Sequence, residues 1–244
     1  MAVPFLGINL STLDLFSLLE KAKKGGLFLA PSGPGLALID KDNLYFEACK
    51  KADIVLPDSG LAIFLCRLLG LGNLPRVSGL GFLKYFFESY KTDSDSTIFW
   101  VFPSETTREK VFSWLITRGL KTEKNLTYIA PFYSRLSFLK DDTLLKLLEI
   151  SKPNFLFICI GSGPQEKLGS WLIQNLSYRP AIICIGAAIG FLSGDQVRIP
   201  SWADRFCLGW LFRCVSDPFR FVPRYTKALR LIYLAIRFRQ FSPS

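Results

Sequence analysis

Short, largely apolar runs alternate along this chain with longer segments whose apolar residues recur at helical spacing. The runs are Gly26–Ala30, Ile54–Pro57, Thr97–Phe102, Phe155–Ile160 and Ala181–Ile185, with a weaker one at Thr127–Ala130. Continuous apolarity, rather than alternation, marks strands covered on both faces, as in a parallel sheet. Helices are predicted between them over Asp42–Lys51, Leu61–Leu69, Ser78–Tyr90, Thr107–Arg118, Thr143–Ile150 and Gln165–Leu176. The alternation predicts an α/β fold, a parallel sheet flanked by helices. From Trp202 onward no strand is apparent and the pattern turns helical and basic. Pro218 after Asp217 suits a helix start, whereas Pro223 is expected to break that helix and leave two short ones. The expected division is a body over 1–197 and a basic helical appendage over 198–244.

Half of the 244 residues are apolar and 20% are charged, so the chain is neither disordered nor of low complexity. Histidine is absent. That excludes a Ser-His-Asp triad, a Cys-His pair and any His-ligated metal, and leaves acid–base work to Asp, Glu, Lys, Tyr or Cys. Cys49, Cys66, Cys159, Cys184, Cys207 and Cys214 show no C-x-x-C spacing. They read as thiols in a reducing cytosol, with Cys159 and Cys184 buried inside strands. The N-terminus lacks a basic n-region and meets Asp14 early, unlike a signal peptide. The longest charge-free stretches, 25–39 and 180–194, have 15 residues each, and the second holds Pro180 and three glycines. Both fall short of the ~18 apolar residues of a spanning helix, so no transmembrane segment is expected.

Charge is unevenly spread. The formal net charge is +10, and from Arg198 onward nine basic residues face only Asp204 and Asp217, so this segment holds +7 of it. A cationic tail on a nearly neutral body points to an anionic partner: phosphate, nucleic acid or lipid headgroups.

Three places could carry chemistry. Gly161-Ser-Gly-Pro-Gln-Glu-Lys167 follows the clearest strand and opens a helix, where backbone N–H groups and the helix dipole suit a diphosphate. It is neither a Walker loop nor the G-x-G-x-x-G fingerprint, since Gly169 falls three residues late. An ordinary βα turn reads the same way. Asp58 ends one strand and opens a helix, where open α/β sheets bind ligands, so it could serve as a general base. It could equally be the N-cap of the Leu61 helix. In the tail, Arg220, Arg224 and Lys227 share a helical face, followed by Leu229, Leu231, Ile232, Leu234, Ile236, Phe238 and Phe241 between further arginines. This is either a basic amphipathic segment for an anionic membrane surface or a docked terminal helix with a solvated cationic face.

The ordered series of segments resembles the WecG/TagA/CpsF family of glycosyltransferases, from about Leu27 to Phe238. Ala52-Asp-Ile-Val-Leu-Pro-Asp58, Arg67-Leu-Leu-Gly70 and Pro75-Arg-Val-Ser-Gly79 are similar to its "ADGVGVVxPDG" and "RLLG…PERVTG" segments. Ile160-Gly-Ser-Gly-Pro-Gln-Glu-Lys167 is similar to its "GSPKQE" loop, and Gly186 through Gly194 to the glycine-rich stretch that follows. Arg198-Ile-Pro-Ser-Trp202, Leu208-Gly-Trp-Leu-Phe-Arg213 and Asp217-Pro-Phe-Arg220…Arg224-Tyr225 resemble its ending.

The resemblance implies a Rossmann-like fold of the glycosyltransferase-E type and an inverting, metal-independent transfer without a cofactor. The implied donor is a UDP-sugar, often an N-acetylhexosamine such as ManNAc. The implied acceptor is a polyprenyl-diphosphate-linked sugar at the cytoplasmic membrane face, in cell-surface polysaccharide synthesis. By position Asp58 would be the base. Ser32, Ser59, Gly161, Ser162, Gly163, Gln165 and Glu166 would contact substrate, and Arg213, Arg220 and Arg224 the diphosphate. The departures are Ala30-Pro-Ser32 for the family's Thr-x-Asn, Ser59 for Gly, Gly81 for Asp, and Ile189-Gly190 for Phe-Asp. They point to a different donor sugar or acceptor, and leave open a degenerate homologue that binds a nucleotide or lipid diphosphate without catalysis. Nucleic acid is not expected as a partner, because the tail holds no recognised module. A nicotinamide enzyme is disfavoured by the missing fingerprint, and homo-oligomerisation is left open.

Overall fold

The computed structural model describes residues 2–90, 96–120, 123–134, 139–186, 188–197, 199–200, 202–203 and 208–238. Arg198, Asp204, Arg205, Cys207, Arg239 and Phe241, invoked above for charge, motif, thiol content or apolar pattern, lie outside the described residues. Among the described residues eight strands form one sheet: β1 (Ala2–Phe5), β2 (Ile8–Ser11), β3 (Gly26–Leu29), β4 (Ile54–Val55), β5 (Ile98–Phe102), β6 (Thr127–Ile129), β7 (Phe155–Ile158) and β8 (Ala181–Cys184). Their order is β1-β2-β4-β3-β8-β7-β5-β6. Only the β1–β2 hairpin is antiparallel; the other neighbours run parallel. The architecture is α/β and Rossmann-like.

The central strands are apolar at every position because both faces are covered. In β7, Leu156 and Ile158 enter one core while Phe155 and Phe157 enter the other. In β8, Ile182 and Cys184 face the first core and Ala181 and Ile183 the second. The first face packs against α3 (Asn43–Lys51), α7 (Asp142–Ser151) and α8 (Pro164–Asn175); the second against α1 (Leu15–Ala22), α5 (Gly79–Ser89), α6 (Glu105–Thr117) and α9 (Ala188–Ser193). Helix α8 sits very close to the sheet. A Cβ on Gly169 would lie 2.9 Å from Cys184 Sγ and from Leu27 Cδ1.

Short helices α2 (Gly33–Leu36) and α4 (Gly60–Leu68) follow β3 and β4. The tail adds α10 (Gly209–Ser216), α11 (Pro218–Ala228) and α12 (Arg230–Arg237). Pro223 does not break α11, contrary to the sequence expectation. Proline cannot donate to the Phe219 carbonyl, but Phe219 is 93% exposed, so solvent can satisfy that group. The break falls at Leu229 instead. Helix α12 buries Leu231, Leu234 and Ala235 in the first core, so the tail is docked on the body. Among the described residues no helix is long and apolar enough to cross a membrane.

Candidate active site

Strands β3, β4, β7 and β8 run parallel, so the loops after them emerge at one edge of the sheet, the edge where open α/β sheets bind ligands. They surround a cavity of about 850 Å³ that the tail covers from the other side. Its wall includes Ser32 after β3, Asp58 and Ser59 after β4, Gly161, Ser162 and Gln165 after β7, and Arg213 and Arg224 from the tail. The carboxylate, the glycine turn and two guanidinium side chains therefore meet in one cleft.

Asp58 is not the cap of α4. That cap is Ser59, whose Oγ accepts from Ala62 N–H at 3.3 Å. Asp58 Oδ1 instead accepts from Gly79 N–H at 2.9 Å, at the first residue of α5. The carboxylate thus bridges the β4 loop to a second helix N-terminus while its residue stays half-buried in the cavity wall. Ser32 caps α2, its Oγ accepting from Gly35 N–H at 3.4 Å.

The turn after β7 needs glycine. Gly161 and Gly163 have φ of +97° and +101°, conformations that side-chain-bearing residues rarely adopt. Pro164 then opens α8 at its first position. Gly163 and Glu166 lie outside the cavity wall. Glu166 is fully buried beneath the turn, where its carboxylate accepts from Gly163 N–H at 2.6 Å, Ser162 Oγ at 3.2 Å and Gln165 Nε2 at 3.1 Å. Burial pushes this carboxyl up from its ordinary value, and the hydrogen bonds to the ionised form oppose that rise. Lys167, the next residue, is also buried and pairs with Asp42 at 2.9 Å.

Arg220 lines a second cavity, of about 480 Å³. Gly161, Ser162, Arg213 and Arg224 belong to both walls, so the turn and these two arginines stand where the cavities meet. Arg213 is held over the Phe191 ring at 4.5 Å, and its Nη1 donates to Tyr225 Oη at 3.3 Å. The second cavity is also lined by Asp195, to which Thr107 Oγ1 and Lys110 Nζ donate at 3.0 and 3.1 Å.

Arg76, which sequence reasoning did not single out, stands in the wall of the larger cavity. Its only sequence signal is its place in Pro75-Arg-Val-Ser-Gly79, just ahead of the helix that Asp58 grips.

A Rossmann-like sheet with a carboxylate, a glycine turn and arginines gathered at the carboxyl ends of its strands is the framework of a glycosyltransferase. The chain belongs to the glycosyl transferase WecG/TagA/CpsF family, whose model matches residues 3–243. It is 24% identical over 236 residues to an N-acetylglucosaminyldiphosphoundecaprenol N-acetyl-beta-D-mannosaminyltransferase of Bacillus subtilis (strain 168), covering 91% of this chain and 87% of that protein. A protein of the same description from Bacillus spizizenii is 21% identical over 211 residues, covering 84% of this chain and 79% of its own length.

Proposed function

We propose that this protein transfers an N-acetylhexosamine, N-acetylmannosamine or a near relative, from a UDP-sugar to a sugar on a polyprenyl diphosphate, with inversion. The observation that carries the reading is the meeting of Asp58, the Gly161–Gln165 turn, Arg213 and Arg224 in one cavity. The Asp58 carboxylate takes the proton of the attacking acceptor hydroxyl. That oxygen bonds to the anomeric carbon from the face opposite the leaving group, and the bond from that carbon to the diphosphate breaks. The electron pair departs with UDP, whose growing negative charge is met by the guanidiniums of Arg213, Arg220 and Arg224. With charge supplied by arginine, turnover is metal-independent in this reading. Ser32, Ser59 and Gln165 contact substrate, while Gly163 and Glu166 act on the turn rather than on the ligand.

Residues 198–244 serve as the appendage that completes the site and brings it to the cytoplasmic face of an anionic membrane, where the lipid-linked acceptor resides. The test is transfer from UDP-N-acetylmannosamine to a synthetic N-acetylglucosaminyl-diphospho-lipid, in buffer containing EDTA. Formation of the disaccharide lipid is expected. Failure with every UDP-N-acetylhexosamine in a panel, across donor and acceptor lengths, overturns the reading.

One observation favours a second reading, a non-catalytic binder. Ala30 and Gly190 bring no functional side chain to the walls of the two cavities. UDP-sugar binding without any transfer would select it.

A further inference from the structure

Gln165 is only 1% exposed, yet it belongs to the wall of the larger cavity. The two ends of its amide are treated differently. Nε2 donates to Glu166 Oε1 at 3.1 Å, whereas Oε1 has no hydrogen-bond partner. Glu166 is an acceptor on both oxygens. Its Oε1 also takes the Ser162 hydroxyl at 3.2 Å, and its Oε2 takes Gly163 N–H at 2.6 Å. A carboxylate in that state has no proton to give, so it can face only the NH₂ end of the neighbouring amide. The oxygen end is thereby left for the cavity.

Gly186, in the same cavity wall, packs against this amide: a Cβ there would lie 3.6 Å from Gln165 Oε1 and 3.7 Å from Nε2. A buried acceptor without a donor is destabilising until something supplies one. No described residue does.

We infer that Glu166 is a positioning residue that fixes the sense of the Gln165 amide, so that the cavity selects a ligand bearing a hydrogen-bond donor, a hydroxyl or amide N–H of the sugar nucleotide, at Gln165 Oε1. This rests on the reading of the cavity as a UDP-sugar site. Glu166 acts without touching the ligand: by accepting from Gln165 Nε2 it sets which end of that amide is left unpartnered.

The experiment is a double-mutant cycle on the full chain, with UDP-N-acetylmannosamine as probe and calorimetric Kd as readout. Gln165→Met and Glu166→Gln are each expected to weaken binding about tenfold, the loss of one buried hydrogen bond. The double variant should bind about as well as Gln165→Met alone, since Glu166 works through that amide. In turnover, Glu166→Gln should raise KM with kcat nearly unchanged. Effects that multiply to about a hundredfold, or Gln165→Met binding as tightly as the wild type, would overturn the inference. If Glu166→Gln does not fold, the wild-type chain labelled at Gln ¹³Cδ and ¹⁵Nε2 decides. Probe binding should shift the Gln165 ¹³Cδ signal while its Nε2 protons stay protected from exchange; a shift confined to ¹⁵Nε2 refutes the assignment. Absence of probe binding by the wild-type chain overturns the UDP-sugar reading itself, whereas tight binding without coupling overturns only the role of Glu166.

Discussion

Arg230 clamps Asp40 with both terminal nitrogens of its guanidinium, each at 2.6 Å, and one of them also donates to the Ala37 carbonyl at 2.7 Å. This fork ties the start of α12 to the segment just after α2. Arg230 holds the Asp40 carboxyl below its ordinary value of 3.8 by hydrogen bonding and charge, against the opposing effect of burial. A lowered carboxyl stabilises the docked tail fully above that ordinary value and loses the contribution as pH falls below it. Asp40→Asn should loosen the tail by about 1 kcal/mol, a bidentate but partly solvated pair. Hydrogen exchange over 218–237 at pH 7 should rise in the variant, and wild-type exchange protection there should decline once pH drops under the carboxylate range.

Asp58→Asn keeps an oxygen able to accept from Gly79 N–H, so the fold and UDP-sugar binding should persist. Removing a general base lowers turnover by about 10²–10⁴-fold. Retained turnover in a single-turnover transfer assay would dismiss Asp58 as the base.

Arg213→Lys keeps the charge but loses the planar fork and its stacking on Phe191. Lysine cannot reproduce a bidentate phosphate contact. Turnover should fall roughly tenfold or more, with the charge-removing Arg213→Met lower still. Equal activity in the lysine variant would mean that only net charge matters at this position.

Gly169→Ala should destabilise the protein without touching the site. The added methyl meets Cys184 Sγ and Leu27 Cδ1, both in a packed core, so overpacking of about 1–3 kcal/mol is expected. At this size each kcal/mol lowers the thermal midpoint by about 2–4 °C. An unchanged midpoint would show that α8 can shift outward freely.

Phe219, Leu229 and Ile236 are exposed apolar side chains in the tail, interspersed with Arg220, Arg224 and Arg237. Sedimentation with vesicles containing phosphatidylglycerol should be strong at low salt and weaken at high salt. Phe219→Ser should lower the bound fraction with little change in stability, because that ring touches solvent rather than core. Equal binding to purely zwitterionic vesicles would remove charge from the account.

The central strands and most helices were legible because their apolar runs report burial directly. The N-terminal hairpin was not. Its turn places Leu6 and Gly7 at φ of +50° and +77°, and leucine gives no warning of a left-handed conformation that Asn or Asp would signal. Asp14, read only as an argument against a leader segment, is the N-cap of α1, accepting from Ser17 N–H at 2.9 Å. At the site, residue types at strand ends pointed to Asp58 and the glycine turn, but not to what each side chain grips. Gly79, the partner of Asp58, lies 21 residues onward, a distance no local pattern encodes. The same holds for Arg76, an unremarkable charge in the chain until the fold brings it to the cavity. Pro223 misled because chain-local steric rules carry no knowledge of whether the orphaned carbonyl reaches water.

Three consecutive polar residues follow Pro164 in the first turn of α8, and each is committed in a different direction: Gln165 to the cavity, Glu166 to the turn above it, Lys167 to Asp42, the N-cap of α3. A helix turns roughly 100° per residue. Insertion or deletion of a single amino acid between Gly163 and Gln165 would swing all three away from their assigned neighbours together. The phase of this first turn is therefore less tolerant of length change than its individual positions are of replacement.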